Sequence, residues 1–219
     1  MLRPVRRLLV LAPIVALVVA GTALAARGDP QRRIAPADEA RAKAMLVRQS
    51  DLPGSRAGAP SPDVDFYCPA LDASDLTLTG DAVSRRFAVG LMIVASASEV
   101  YESRGDAGAA WRRATGTAGV QCAKSVLRRQ LAQQGARLIS LRSIPFPRVS
   151  DRTIAYRATM TGTTPQGQVT AYVDVIALMR SRAHTTITVG SALTTPPRSE
   201  ELHLARAVAK RMASAMRGA

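Results

Sequence analysis

The sequence predicts an α+β fold: a single domain with an antiparallel sheet of five or six strands, covered mainly on one face by helices and closed by a C-terminal helix. Three observations support this prediction. Hydrophobic residues make up 47% of the 219 residues, enough for one ordinary core. Apolar residues follow a helical period in three stretches and alternate in the stretches between them. Short turns join consecutive strands in the second half, and such connections require antiparallel pairing.

Three helices are predicted from apolar residues that recur every three or four positions. They are expected over 37–50, 103–135 and 199–217. Gly116 and Gly119 interrupt the second helix, and Gly135 stands where a glycine commonly follows a helix end. Glu200 and Glu201 begin the third helix, where carboxylates favour the positive end of the helix dipole.

Six extended segments supply the predicted sheet. They are expected over 82–89, 91–97, 137–144, 152–161, 168–179 and 184–191. In 152–161 apolar and polar residues alternate, which is the period of a strand with one buried face. Residues 54–63 and the stretch from Asp65 to Leu71 are expected to be irregular.

Residues 1–26 have the features of a secretion signal. Three arginines precede an apolar run from Leu8 to Ala20, and Ala23-Leu24-Ala25 supplies the small residues that signal peptidase requires. We predict cleavage after Ala25; the alternative is an uncleaved anchor over residues 8–26, which would associate the chain with a membrane. In both cases residues 27–35 form a flexible lead, and the domain over 36–219 lies outside the cytoplasm, secreted or associated with the cell envelope.

Cys68 and Cys122 are the only cysteines, and outside the cytoplasm they favour a disulfide. Two cysteines and two histidines are too few for a Cys/His zinc cluster or a Cys-bound iron–sulfur centre. His184 and His203 are expected to be surface or turn residues. Because no nucleophile motif and no phosphate-binding glycine loop is present, we expect no catalytic residue, no metal and no cofactor.

The excess of basic over acidic residues is the most pronounced feature of the composition. Lys and Arg number 30 against 16 Asp and Glu, and residues 101–160 hold 11 basic but only 3 acidic residues. Arg112, Arg113, Arg128 and Arg129 avoid the apolar stripe of their helices, so they are predicted to form a face for an anion or a partner. The alternative is an ordinary solvated surface. Nucleic acid is not expected, because neither the aromatic residues nor the helix-turn-helix of such proteins accompanies the charge.

Asp174 interrupts the apolar run from Tyr172 to Ile176 in a predicted central strand. A carboxylate in such a place needs a partner or a shifted pKa, and Arg157 on the preceding strand can pair with it. Two interpretations stay open. The residues form an ordinary cross-strand ion pair on a partly open face, or they are a polar pair lining a ligand cleft.

The order of these elements resembles the extracellular sensor domain of PknH-type actinobacterial kinases and related secreted or lipid-anchored proteins, whose wider fold is PsbP-like. The residues that carry the resemblance are Asp51-Leu52-Pro53, the helix with Ala110-Trp111 and Cys122, the strand ending Thr186-Ile187-Thr188-Val189, and Glu201 to Arg211. It would cover about residues 36–217. The resemblance implies a ligand-binding or sensory ectodomain without enzymatic activity.

Together these features predict a secreted or envelope-associated, non-enzymatic binding domain. Its expected ligand is a hydrophobic or anionic component of the envelope, such as a lipid or an acidic polymer. The alternative is a structural or protein-interaction module that engages an envelope protein through the arginine-rich face.

Overall fold

Nine strands and four helices make up the part of the chain that the computed structural model describes, residues 29–60, 68–165 and 167–218. The strands are β1 (Gln31–Arg32), β2 (Arg56–Pro60), β3 (Thr77–Val83), β4 (Arg85–Val89), β5 (Met92–Tyr101), β6 (Ala136–Ser143), β7 (Arg152–Thr164), β8 (Gly167–Arg180) and β9 (Ala183–Ala192). The helices are α1 (Pro36–Met45), α2 (Arg104–Thr115), α3 (Thr117–Gln133) and α4 (Arg198–Ala215). Single 3-10 turns cover Gln49–Asp51 and Pro69–Leu71.

All nine strands belong to one sheet. Its order is β1-β3-β5-β9-β8-β7-β6, and β4 pairs with both β5 and β2. Only β1 and β3 pair in parallel among these strands; the other pairs are antiparallel. The α+β class, the antiparallel sheet and the closing C-terminal helix are therefore confirmed.

The sheet has more strands than predicted, because one edge is divided into two strands and two short strands are added. The peptide N–H of Ser84 donates to the carbonyl of Ser96 (2.8 Å), and its hydroxyl accepts from the N–H of Ser96 (2.8 Å). This local arrangement splits one long edge into β3 and β4, which lie end to end along β5. The two-residue β1 and the five-residue β2 account for the rest.

Those two short strands correct two predictions about irregular segments. Part of the flexible lead is paired, because the N–H of Gln31 donates to Leu76 and that of Arg33 to Leu78. Part of the loop over 54–63 is also paired, since β2 lies antiparallel to β4. Neither segment carries the apolar alternation that would have identified it as a strand.

Helices cover both faces of the sheet, so the prediction of cover mainly on one face is wrong. On β8, Ile176 and Leu178 pack with α1 and α4. Val173 and Val175, which alternate with them, pack against α3 on the opposite face. A central strand that is apolar on both faces requires a layer on each.

The predicted disulfide between Cys68 and Cys122 is confirmed, with the two Cα atoms 6.0 Å apart. It attaches the segment before β3 to α3 and is packed against Val126. None of the described helices is both long and apolar enough to cross a bilayer. The predicted secretion signal or anchor over residues 1–26 lies outside the described residues.

Candidate functional site

Arg113, one of the four predicted face residues, is committed to an internal contact. Its Nη1 and Nη2 donate to the two carboxylate oxygens of Asp75 at 2.6 and 2.8 Å. Nη1 also donates to the carbonyl of Asp72 at 2.7 Å. Arg113 thus holds α2 against the segment before β3 and leaves little of its charge for an external anion.

The other three predicted face residues are free of carboxylates. Arg112, Arg128 and Arg129 are exposed, and none forms an ion pair with a described residue. Arg128 and Arg129 lie on the second half of α3, which packs on the sheet beside β6.

The structure extends this charge from α3 onto β6. Leu127 and Leu131 of α3 share an apolar cluster with Leu138 and Leu141 of β6, so helix and strand form one packed unit. β6 is the last strand in the sheet order. The basic side chains carried by this unit are Lys124, Arg128, Arg129, Arg137 and Arg142, and we call them the basic edge.

No acidic residue neutralises the basic edge from within its own segment. From Ala107 to Ser150 the sequence contains eight basic residues and no Asp or Glu. Within that segment Arg113 alone pairs with a carboxylate of the described chain. Like charges left together without counter-charges create a positive local potential that attracts anions.

The second predicted site, Asp174 and Arg157, forms the expected pair. The two residues are directly opposite each other on β8 and β7. Arg157 donates through Nε to Oδ1 (2.7 Å) and through Nη2 to Oδ2 (2.5 Å) of Asp174. Asp174 is completely buried, so the pair does not lie on a partly open face.

Glu201 joins this pair and was missed by the sequence analysis. Its side chain is also completely buried, where α4 covers the sheet. Burial, followed by the neighbouring carboxylate of Asp174, raises the pKa of Glu201 to about 8. Oε2 accepts from Arg198, whereas Oε1 is buried without a hydrogen-bond partner among the described residues. Protonated Glu201 can donate to Asp174, so the neutral acid is the form that suits this site.

The buried cluster of Arg157, Asp174 and Glu201 is suited to a structural role. A carboxyl pair that shares a proton is the arrangement of some acid–base catalysts. Both carboxyls here have no exposed surface, so a substrate cannot contact them. The cluster instead joins β7, β8 and α4 across one face of the sheet.

A second buried ion pair holds α1 in place. Arg182, in the β8–β9 turn, donates through Nη1 and Nη2 to Asp38 of α1 at 2.7 and 2.8 Å. Arg182 also donates to the carbonyl of Tyr101, and the Thr79 hydroxyl donates to Asp38. The hydrogen bond from Arg182 is the main cause that holds the pKa of Asp38 far below its usual range.

Asp51 of the Asp51-Leu52-Pro53 motif has a similar role. Its carboxylate accepts from Nη1 and Nη2 of Arg211 on α4 at 3.0 and 2.7 Å, and from the N–H of Arg48 at 2.8 Å. Burial alone would raise the pKa of Asp51, but these hydrogen bonds lower it. The motif therefore joins the end of the first helical segment to α4.

His184 lies just after the β8–β9 turn, as predicted, but is half-buried rather than exposed. Its ring lies 5.2 Å from that of Tyr101 and 5.7 Å from that of Trp111, and its Nε2 is buried without a partner. Burial lowers the pKa of His184 to about 4, so the imidazole is neutral at pH 7. His203 is exposed on α4. Within the described ranges, no three His, Cys, Asp or Glu side chains are grouped to hold a metal ion.

Comparison with known proteins assigns neither a family nor a function to these residues. No protein-family model matches the chain, and no curated protein is significantly similar to it. The resemblance to PknH-type sensor domains therefore stays a prediction.

Proposed function

We propose that this chain is an extracytoplasmic, non-enzymatic binding domain whose basic edge holds an anionic component of the cell envelope. One observation carries the proposal: the segment from Ala107 to Ser150 has eight basic residues and no acidic one, and seven of the eight lack a carboxylate partner in the described chain. Along the sequence these charges are therefore separated from acidic residues.

Elsewhere in the described chain, eight of sixteen arginines pair with a carboxylate. Arg157, Arg182 and Arg211 each have a buried carboxylate within 2.8 Å, and Arg32 pairs with Asp81 on the surface. In the segment from Ala107 to Ser150 only one of eight basic residues, Arg113, has such a partner in the described chain, and none of the basic edge does. Unpaired guanidinium groups that stay exposed are suited to phosphate or carboxylate groups of a partner.

Protection of the sheet edge explains only part of the charge. Arginines on an exposed edge strand discourage pairing with another chain, and Arg137 and Arg142 on β6 serve that purpose. Arg128 and Arg129 lie on α3, which presents no strand edge. Their place beside β6 is accounted for by a shared ligand.

The compartment and the chemistry agree with this proposal. A disulfide between Cys68 and Cys122 suits an oxidising environment outside the cytoplasm, as does the predicted secretion signal over residues 1–26. The carboxyls of Asp174 and Glu201 have no exposed surface, so they belong to the interior of the fold and not to the proposed binding surface. A sensory role, as the PknH-type resemblance implies, would use the same binding step.

Charge reversal on α3 tests the proposal. We expect Arg128→Glu together with Arg129→Glu to weaken binding to long-chain inorganic polyphosphate by about tenfold or more at low salt, since each basic residue near an anionic surface contributes about 1 kcal/mol. Fluorescence anisotropy of labelled polyphosphate measures the affinity. The matched control is Arg206→Glu with Lys210→Glu, which makes the same charge change at exposed positions on α4, across the sheet.

The control variant should retain most of the affinity. Equal losses in the two double variants would mean that only net charge matters, and the basic edge would then have no special role. Wild-type protein that fails to bind polyphosphate at low salt would contradict the proposal outright.

A further inference from the structure

Two exposed apolar side chains lie together at one end of the sheet. Among the described residues, five large hydrophobic side chains are exposed: Ile34, Val83, Leu91, Ile139 and Leu193. Single exposed apolar residues are common on protein surfaces and need no explanation. Leu91 and Leu193 are different because the strand pairing brings them to the same end, and we call these two the apolar end.

The hydrogen bonds place Leu91 and Leu193 side by side. The N–H of Ala192 donates to the carbonyl of Leu91 (3.4 Å), and the N–H of Leu193 donates to Thr170 (2.9 Å). Leu91 thus lies in the β4–β5 turn, and Leu193 follows the last residue of β9. Both project from connections rather than from the middle of the sheet.

Arg137 belongs to the same end through the register of β6 to β9. The residues paired across these four strands form one row: Leu138, Met160, Ala171 and Ala192. Because β6 and β9 run in opposite directions, Arg137, which precedes Leu138, and Leu193, which follows Ala192, both lie beyond that row toward this end of the sheet. Three strand spacings separate them by about 14 Å, whereas Ile139 lies on the other side of the row.

Leu193 is held in a conformation that a leucine rarely adopts. Its φ is 71°, in the left-handed region, and its side chain is 55% exposed. Left-handed backbone costs a residue with a Cβ roughly 1–2 kcal/mol. Because an exposed side chain recovers little of that free energy through burial, a leucine here is not explained by the stability of the fold.

The charge around the apolar end has one sign. The β4–β5 turn, the start of β6, the β7–β8 turn and the residues 192–195 contain no Asp or Glu. Arg137 is the second residue of β6, and Arg128 and Arg129 lie on the last two turns of α3, which leads into it. Apolar side chains flanked by arginines are the features that bind proteins to the interface of anionic membranes.

We propose that the anionic partner of the basic edge is a lipid bilayer, and that the apolar end inserts Leu91 and Leu193 among its headgroups. This inference rests on the proposed function and names the partner class. A soluble anionic polymer would use the arginines but would gain nothing from exposed leucines. A bilayer uses both, because phosphate headgroups and acyl chains lie within a few ångströms of each other.

Vesicle binding of the chain with its natural N-terminus tests this inference. The probes are vesicles of phosphatidylcholine with and without phosphatidylglycerol, and cosedimentation measures the bound fraction. We expect Leu91→Ser with Leu193→Ser to weaken binding to the anionic vesicles by about fivefold or more, and to leave polyphosphate binding unchanged. Ile34→Ser with Val83→Ser is the matched control, since these exposed apolar residues lie away from the apolar end.

Leu193→Gly keeps the test independent of misfolding. Glycine adopts a φ of 71° without strain, so this variant should be at least as stable as the wild type in urea while it binds anionic vesicles more weakly. Unchanged vesicle binding in both leucine variants would overturn the inference. Polyphosphate binding without preference for phosphatidylglycerol vesicles would also overturn it but would leave the proposed function standing, and failure to bind either probe would contradict both.

Discussion

Glu201→Gln is expected to remove a loss of stability that the wild-type protein suffers as pH rises above 5. Glutamine has the shape of the neutral acid, and its amide can donate toward Asp174, whose carboxylate helps to raise the pKa of Glu201. The substitution therefore keeps the oxygen that accepts from Arg198 and eliminates only the ionisation.

The direction of this pH dependence follows from the raised pKa of Glu201. In the unfolded chain Glu201 ionises near 4.5, whereas in the folded protein it holds its proton up to about 8. Between these values the folded state binds the extra proton, so the free energy of unfolding falls by up to about 1.4 kcal/mol per pH unit. The stabilising effect is complete below the unfolded pKa and is lost by the folded pKa.

Urea unfolding at pH 5 and pH 8 measures this effect. We expect the Glu201→Gln variant to match the wild type at pH 5 and to exceed it by about 2–4 kcal/mol at pH 8. Glu200→Gln is the matched control, because Glu200 is adjacent in sequence but exposed, and it should show no such pH-dependent gain. A Glu201→Gln variant whose stability declines with pH as steeply as the wild type would show that Glu201 is not the proton-holding group.

Arg182→Met is expected to lower the free energy of unfolding by about 3 kcal/mol at pH 7. The substitution keeps an apolar stem but removes the guanidinium that pairs with buried Asp38 and donates to Tyr101. The Arg41 and Thr79 contacts with Asp38 remain, so the effect should lie at the lower end for a broken buried ion pair. Urea denaturation measures it.

A pH series adds a signature that lost packing would not give. Since the pKa of folded Asp38 is lowered, its stabilising effect is present above the unfolded value of 3.8 and is lost as the pH falls below it. In the Arg182→Met variant, the free energy of unfolding should therefore fall less steeply as the pH is lowered. Arg180→Met in the same hairpin removes an exposed pair with Asp151 and should change stability by less than about 1 kcal/mol. Equal losses in the two variants would contradict the account of the Arg182 contact.

The strands of the second half could be predicted because successive side chains must pack on opposite faces of the sheet. In β7 and β8 the side chains point to opposite faces in turn, and both faces are covered, so the register is well determined. The prediction of cover mainly on one face failed for a related reason. Val173 and Val175 are as apolar as Ile176 and Leu178, and this equality already indicated two covering layers.

Helical spacing predicts that Glu201 is buried, but its charge suggests that it is exposed. Glu201 lies one helical turn before Ala205 and Leu204, on the same stripe as Val208 and Met212. Helical spacing alone would have placed it in the core. A glutamate in the first turn of a helix is also accounted for by the helix dipole at an exposed position. The sequence therefore did not link Glu201 to Asp174.

The basic edge was predictable in part. Exposure of Arg128 and Arg129 follows from helical spacing, as does that of Arg112. The commitment of Arg113 to Asp75 depends on how the segment before β3 folds back over α2, and sequence spacing cannot show this contact. Arg137 and Arg142 join the face only because β6 is the edge strand beside α3, which is a property of the sheet order.

The most direct test of the central claim is to map the anion-binding surface by NMR. The isotope-labelled protein is titrated with polyphosphate, and backbone amide shifts are followed at increasing salt. We predict that the largest shifts fall within residues 124–142, on α3 and β6, and that they diminish as salt weakens binding. Shifts concentrated on α4, or spread evenly over all exposed arginines, would contradict the claim that the basic edge is a binding site.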